Sequence, residues 1–97
     1  MFKPLDAVLH SELRLAIISL LVGVKQADFG FLKEKTSSTS GNLSVQLQKL
    51  SHAGYIAIEK SFKGNYPLTT CKITEEGMLA FENYVKAIRS YIETGER

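Results

Sequence analysis

Residues 36–56 read TSSTSGNLSVQLQKLSHAGYI, and the rest of the chain is understood outward from this stretch. Leu43, Leu47 and Leu50 recur at spacings of four and three, the period of one buried helical stripe. Thr39 or Ser40 offers the hydroxyl that caps a helix start, and Gly54 stands where a glycine commonly ends one. A helix from about Thr39 to Ala53 is expected. Turning its leucines inward leaves Gly41, Ser44, Val45, Gln48 and His52 outward, with Asn42 and Lys49 beside them. A helix that merely shows its back to water usually carries Glu–Lys pairs four apart, but no acid occurs from Ser37 to Ile58. Small hydroxyls and amides stand there instead.

Before this helix, Asp28 can cap a short one over Phe29–Lys35, with Thr36, Ser37 and Ser38 as the polar turn between the two. Two helices joined by such a turn form a helix-turn-helix. Further upstream, Ser11 is a candidate cap for a helix to about Val22, with Gly23 at its end and Lys25 to Ala27 as a short connection. Leu13, Leu15, Ile17, Ile18, Leu20 and Leu21 make that helix apolar almost all round, as suits a central position or a subunit interface.

Downstream, residues 55–60 (YIAIEK) read as a strand, residues 63–67 (KGNYP) as its turn, and Thr69 to Ile73 as the returning strand. Thr74 then caps a long helix from Glu75 to about Glu93, with Glu75 and Glu76 where the helix dipole favours acids. The fold class is mainly α with a small β-hairpin: three helices, the hairpin and a long C-terminal helix. This is the layout of a winged helix-turn-helix, a single domain over residues 1–97.

Small side chains permit close approach to DNA, hydroxyls bond phosphates or base edges, and Gln or Asn can pair bidentately with adenine. Thr39, Ser40, Gly41, Asn42, Ser44, Val45, Gln48 and Lys49 are the candidate recognition-helix contacts. The first-turn amides of Ser40, Gly41 and Asn42 suit a phosphate, and Val45 a thymine methyl. Across the hairpin, Lys60, Lys63, Asn65 and Tyr66 are candidates for a neighbouring phosphate or the minor groove, with Gly64 permitting the turn. From Thr39 to Lys72 the bases Lys49, Lys60, Lys63 and Lys72 face one acid, Glu59, a net +3, whereas the stretch after it is net −2. The middle of the chain is the part suited to a polyanion. The other reading of this face is a protein-docking surface, which would call for a larger apolar patch with aromatic or Arg anchors.

Asn42-Leu43-Ser44, Leu47-Gln48-Lys49-Leu50, Ala53-Gly54-Tyr55-Ile56 and Ile73-Thr74-Glu75-Glu76-Gly77 together resemble winged-helix transcriptional regulators of the MarR and ArsR superfamily. Within it, the small stand-alone group with Gly-Asn-Leu-Ser in the recognition helix and a Lys-x-Phe-x-Gly hairpin is most similar, the hairpin here being residues 60–64 (KSFKG). The resemblance spans about Leu5 to Ile92. It implies a homodimeric, sequence-specific regulator of transcription, a repressor in the simplest case, with the helix from Thr39 in the major groove and the hairpin as wing. The wing departs from the pattern in lacking arginine at its tip.

Met78, Phe81, Val85, Ile88 and Ile92 make a seam of alternating three- and four-residue spacing, with Tyr84 and Tyr91 beside it. A homodimer through the terminal helices is expected, with these seven residues and Leu9, Leu13 and Ile17 at the interface. An effector pocket between the first and last helices, lined by Phe81 and Tyr84, is conceivable.

With 97 residues, 44% apolar and 23% charged, the chain supports one core and excludes most large enzyme folds. Its longest apolar run, Leu15 to Val24, falls short of the about 20 residues that cross a bilayer, and the start lacks a secretory pattern. A cytoplasmic location follows. His10 and His52 have no partners at ligand spacing, the single Cys71 reads as a buried apolar residue, and no nucleophile–base pair or phosphate loop occurs. Neither metal, cofactor nor catalysis is expected.

Overall fold

The leucine stripe and its caps form as the sequence dictates. In the computed structural model, which describes residues 2–95, the elements run α1 (Glu12–Val24), β1 (Gln26–Asp28), α2 (Phe29–Thr36), α3 (Ser40–His52), β2 (Ile56–Lys63), β3 (Tyr66–Ile73) and α4 (Glu75–Gly95). Asp28 Oδ1 accepts from Phe31 N at 2.8 Å and Thr39 Oγ1 from Asn42 N at 3.1 Å, so both expected caps hold. Ser37 makes the turn between α2 and α3 in the left-handed region, φ 53°.

Two expectations about α1 are corrected. Ser11 sits at the N-cap position with an extended backbone but makes no side-chain cap bond. The helix also runs through Gly23 to Val24, and Lys25 turns the chain at φ 73° instead. Lys25 suits this place because its ammonium reaches the Val22 carbonyl at 3.0 Å and its own carbonyl accepts from Ile73 N. That last bond belongs to a third strand. Residues 25–27 are not a bare connection, for Gln26–Asp28 pairs antiparallel with Lys72–Thr70, giving the sheet order β1-β3-β2.

The hairpin is longer than its sequence suggests. Gly64 (φ 64°) and Asn65 form a two-residue turn closed by the Lys63–Tyr66 pair, so Lys63, Tyr66 and Pro67 are strand residues rather than turn. A glycine with positive φ at the first loop position fits the twist of a tight hairpin. Pro67 is tolerated because β3 has only one neighbour there.

Leu9, Ile17, Ile18, Leu21, Leu32, Leu43, Leu50 and Cys71 are fully enclosed, and α1 lies at the centre of this core. The first turn of α4 is fastened to the exit of α3. Thr74 Oγ1 donates to Gly54 O at 2.7 Å and accepts from Gly77 N at 3.0 Å, while Thr74 N donates to Tyr55 O at 3.1 Å. Gly77 is required by this packing, because a Cβ there would collide with the Tyr55 carbonyl. Tyr55 in turn donates its hydroxyl to Asp6 Oδ2 at 2.5 Å, tying the N-terminal segment down. That bond, with burial and the nearby acids, pushes the Tyr55 phenol up to about 12. Among the described residues, no helix is long and apolar enough to cross a membrane.

Candidate nucleic-acid interface

The exposed face of α3 carries the residues its periodicity assigns to it. Gly41, Asn42, Ser44, Val45, Gln48, Lys49 and His52 are all exposed, as are Thr39 and Ser40 at the start, and Val45 is 50% exposed. The hydroxyl of Thr39 uses the Asn42 N–H, and this corrects the expected trio of open amides to Ser40 and Gly41. Gly41 has room around it: an added Cβ would meet nothing within 4 Å.

A polar relay behind α3 sorts its amides. Gln46, half-buried, donates from Nε2 to Asn42 Oδ1 at 3.0 Å and accepts at Oε1 from Arg14 Nη1 at 2.5 Å. Arg14 Nε reaches Val8 O at 2.6 Å. The side-chain carbonyl of Asn42 is therefore engaged within the chain, and Gln48 stands on the exposed face of the helix.

Both edges of this face are basic. On one, Lys60 and Thr69 of the hairpin share a small hollow with Ser44, Leu47 and Gln48 of α3, roofed by Phe29 and Ile58. On the other, Arg14, Lys49 and His52 converge on a hollow lined also by Ala7, Val8 and Ala53. Arg14 and Gln46 escaped sequence reasoning because they come together with α3 only through the packing of α1. Along the hairpin the candidates divide. Cross-strand partners share a face, so Lys60 lies on the α3 side with Phe62 and Pro67, while Lys63 and Tyr66 form a pair on the opposite side and Asn65 caps the tip. Phe62, 74% exposed, and Tyr66, 79% exposed, are the two aromatic side chains of the tip.

The terminal helices depart from the expected interface. Leu9 and Ile17 are wholly enclosed by this chain's own core, and Tyr84 is nearly so, with its hydroxyl 3.0 Å from His10 Nδ1. Their side chains are spent on this chain's own core, Ile17 from α1, Tyr84 from α4 and Leu9 from the segment before α1, and are not offered to a second copy. Leu13, Met78, Phe81, Val85 and Ile88 are half-buried, the first three and Ile88 against the core, while Tyr91 and Ile92 are exposed. A cleft of about 420 Å³ lies between the N-terminal segment and α4, lined by Pro4, Leu5, Asp6, Tyr55, Glu76, Leu79, Ala80, Asn83 and Tyr84. Phe81 does not line it. Cys71 is buried in the central strand, where burial pushes its thiol up to about 11, away from the reactive thiolate.

A helix-turn-helix backed by a hairpin wing defines the winged-helix class, as the sequence led us to expect. The chain belongs to the winged helix DNA-binding domain family, which it matches over residues 13–92. It is 38% identical over 81 residues to an uncharacterized protein of Methanocaldococcus jannaschii, covering 84% of this chain and 88% of that one. Its fold is similar to that of a transcriptional regulator homologue from Pyrococcus horikoshii OT3, with a TM-score of 0.87 and 23% identity, over 95% of this chain and 91% of the other. NadR, solved in complex with 4-hydroxyphenylacetate, is similar with a TM-score of 0.71 and 20% identity, over 92% of this chain and 65% of NadR. These two structures share the fold.

Proposed function

We propose that the chain is a sequence-specific regulator of transcription that acts as a homodimer on double-stranded DNA, in the cytoplasm, and that it represses by occupying its site. In this reading α3 lies in the major groove, with Thr39, Ser40, Gly41 and Ser44 near the backbone and Val45 and Gln48 at base edges. Lys49 holds a phosphate beside Arg14 and His52. The wing residues Lys60, Lys63, Asn65 and Tyr66 track the backbone or minor groove. The observation that carries this reading is the acid-free exposed face of α3, bounded by Lys60 on one side and by Arg14, Lys49 and His52 on the other. A face of this chemistry suits a polyanion with a readable surface. The cleft beside Tyr55 and Tyr84 is where we place an effector, if the regulator takes one.

Fluorescence anisotropy against a random duplex pool, across a salt series, tests the reading. Affinity should fall steeply with salt, and selection should yield a preferred sequence. Gln48→Ala should relax that preference by about 1–3 kcal/mol at one base pair, while Lys63→Ala should weaken every duplex alike and flatten the salt slope by about one unit. Absence of binding at low salt by folded protein would overturn the proposal in favour of a protein-docking module.

A further inference from the structure

The hairpin carries an apolar side chain that neither the core nor the proposed base contacts use. Phe62 is 74% exposed at the last inward-facing position of β2, on the same face as Lys60 and opposite Pro67. Two residues of strand rise place it roughly 7 Å beyond Lys60, clear of α3. Lys60 shares its face, Lys63 points to the other face of the ribbon, and no acid follows Glu59 until Glu75.

We propose that Phe62 is a wedge: its ring inserts at a base step of the minor groove beside the major groove that α3 occupies, while Lys60, on the same face, holds an adjacent phosphate. The inference rests on the DNA-reading assignment above and adds to it a deformation of the duplex. Two observations favour DNA as the occupant. The face bearing Phe62 is continuous, through Lys60, with the hollow that contains Ser44 and Gln48 of α3. The charge beside the ring on that face, Lys60, is complementary to phosphate. Apolar wedges at a minor-groove step unstack it and bend the duplex toward the major groove. Such a contact favours pyrimidine–purine steps, the easiest to unstack. Tyr66 lies on the opposite face of the hairpin and is not the wedge.

The chain contains no tryptophan, so Phe62→Trp introduces a single reporter of stacking. The probe is the set of 30-base-pair duplexes that the wild-type protein enriches from a random pool. Emission of Phe62→Trp should be strongly quenched on binding, and that of a Tyr66→Trp control much less. Phe62→Ala should bind roughly tenfold more weakly, the loss expected for one stacked aromatic ring. It should also lose the bend seen by energy transfer between the duplex ends and the preference for TA or CA steps under the wing. Because the side chain is exposed, these variants should keep the wild-type melting temperature. A Phe62→Ala protein that binds and bends DNA as the wild type does overturns the wedge and leaves the DNA reading standing. Failure of the wild type itself to enrich any duplex overturns both. Quenching or blue shift of Phe62→Trp by anionic vesicles or by concentrated protein, with no response to bound duplex, also overturns it, in favour of a lipid surface or a second copy.

Discussion

Gln46 uses both halves of its amide inside the protein, one on Asn42 and one on Arg14, and so determines which side chains of α3 remain for a ligand. Its neighbour Gly41 presents the opposite case. Nothing in the chain requires a glycine there, since its φ is not positive and an added methyl meets open space. Glycine in a helix is destabilising by roughly 0.5–1 kcal/mol relative to alanine, so the position sacrifices stability for room. Gly41→Ala should therefore raise the urea midpoint by an amount equivalent to up to about 1 kcal/mol and at the same time weaken duplex binding. A more stable variant with undiminished affinity would remove Gly41 from the interface.

At the scale of elements, the bonds of Thr74 to Gly54 and Tyr55 fasten the start of α4 to the segment that leaves α3. Gly77 lets the first turn of α4 lie directly against the Tyr55 carbonyl and the Ile73 side chain. Gly77→Ala should cost about 1–3 kcal/mol by overpacking, read as a lowered urea midpoint with an unchanged slope. An unchanged midpoint would mean that α4 is seated otherwise. The elements that could be read from sequence are those with local causes: the stripe Leu43–Leu47–Leu50 and the side-chain caps Asp28, Thr39 and Thr74 each act within one turn. Strand β1 could not be read, because Gln26–Asp28 has no strand-forming pattern and exists only by pairing with β3. The end of α1 was misplaced for a related reason, since Lys25 is held by Ile73, a residue far along the chain. In the interface, the face of α3 followed from its period, whereas Arg14, Gln46 and the exposure of Phe62 depend on contacts between distant elements.

Over the whole molecule, the principal extents of 58 × 25 × 21 Å reflect the 21-residue α4. Its end carries apolar surface: Ile92 is 56% exposed, and Tyr91 stacks on Phe2 with ring centroids 4.7 Å apart. The proposed dimer is correspondingly confined to the outer faces of α1 and α4, now without Leu9, Ile17 and Tyr84. Sedimentation equilibrium at micromolar concentration should give a dimer, and the pair Val85→Glu with Ile92→Glu should give a folded monomer with reduced affinity for two-half-site duplexes. A wild-type monomer at those concentrations would refute the dimer. The sheet order has a separate consequence. Only Thr70–Lys72 of β3 has a neighbour on both sides, and from Thr69 outward the hairpin is a two-stranded ribbon. Such a ribbon has little stiffness of its own. The wing is thus a cantilever, clamped at a root that shares a sheet with β1 and compliant toward its tip. In the proposed complex its root would keep a fixed bearing on α3, while the free end would follow a groove whose width varies from one sequence to the next.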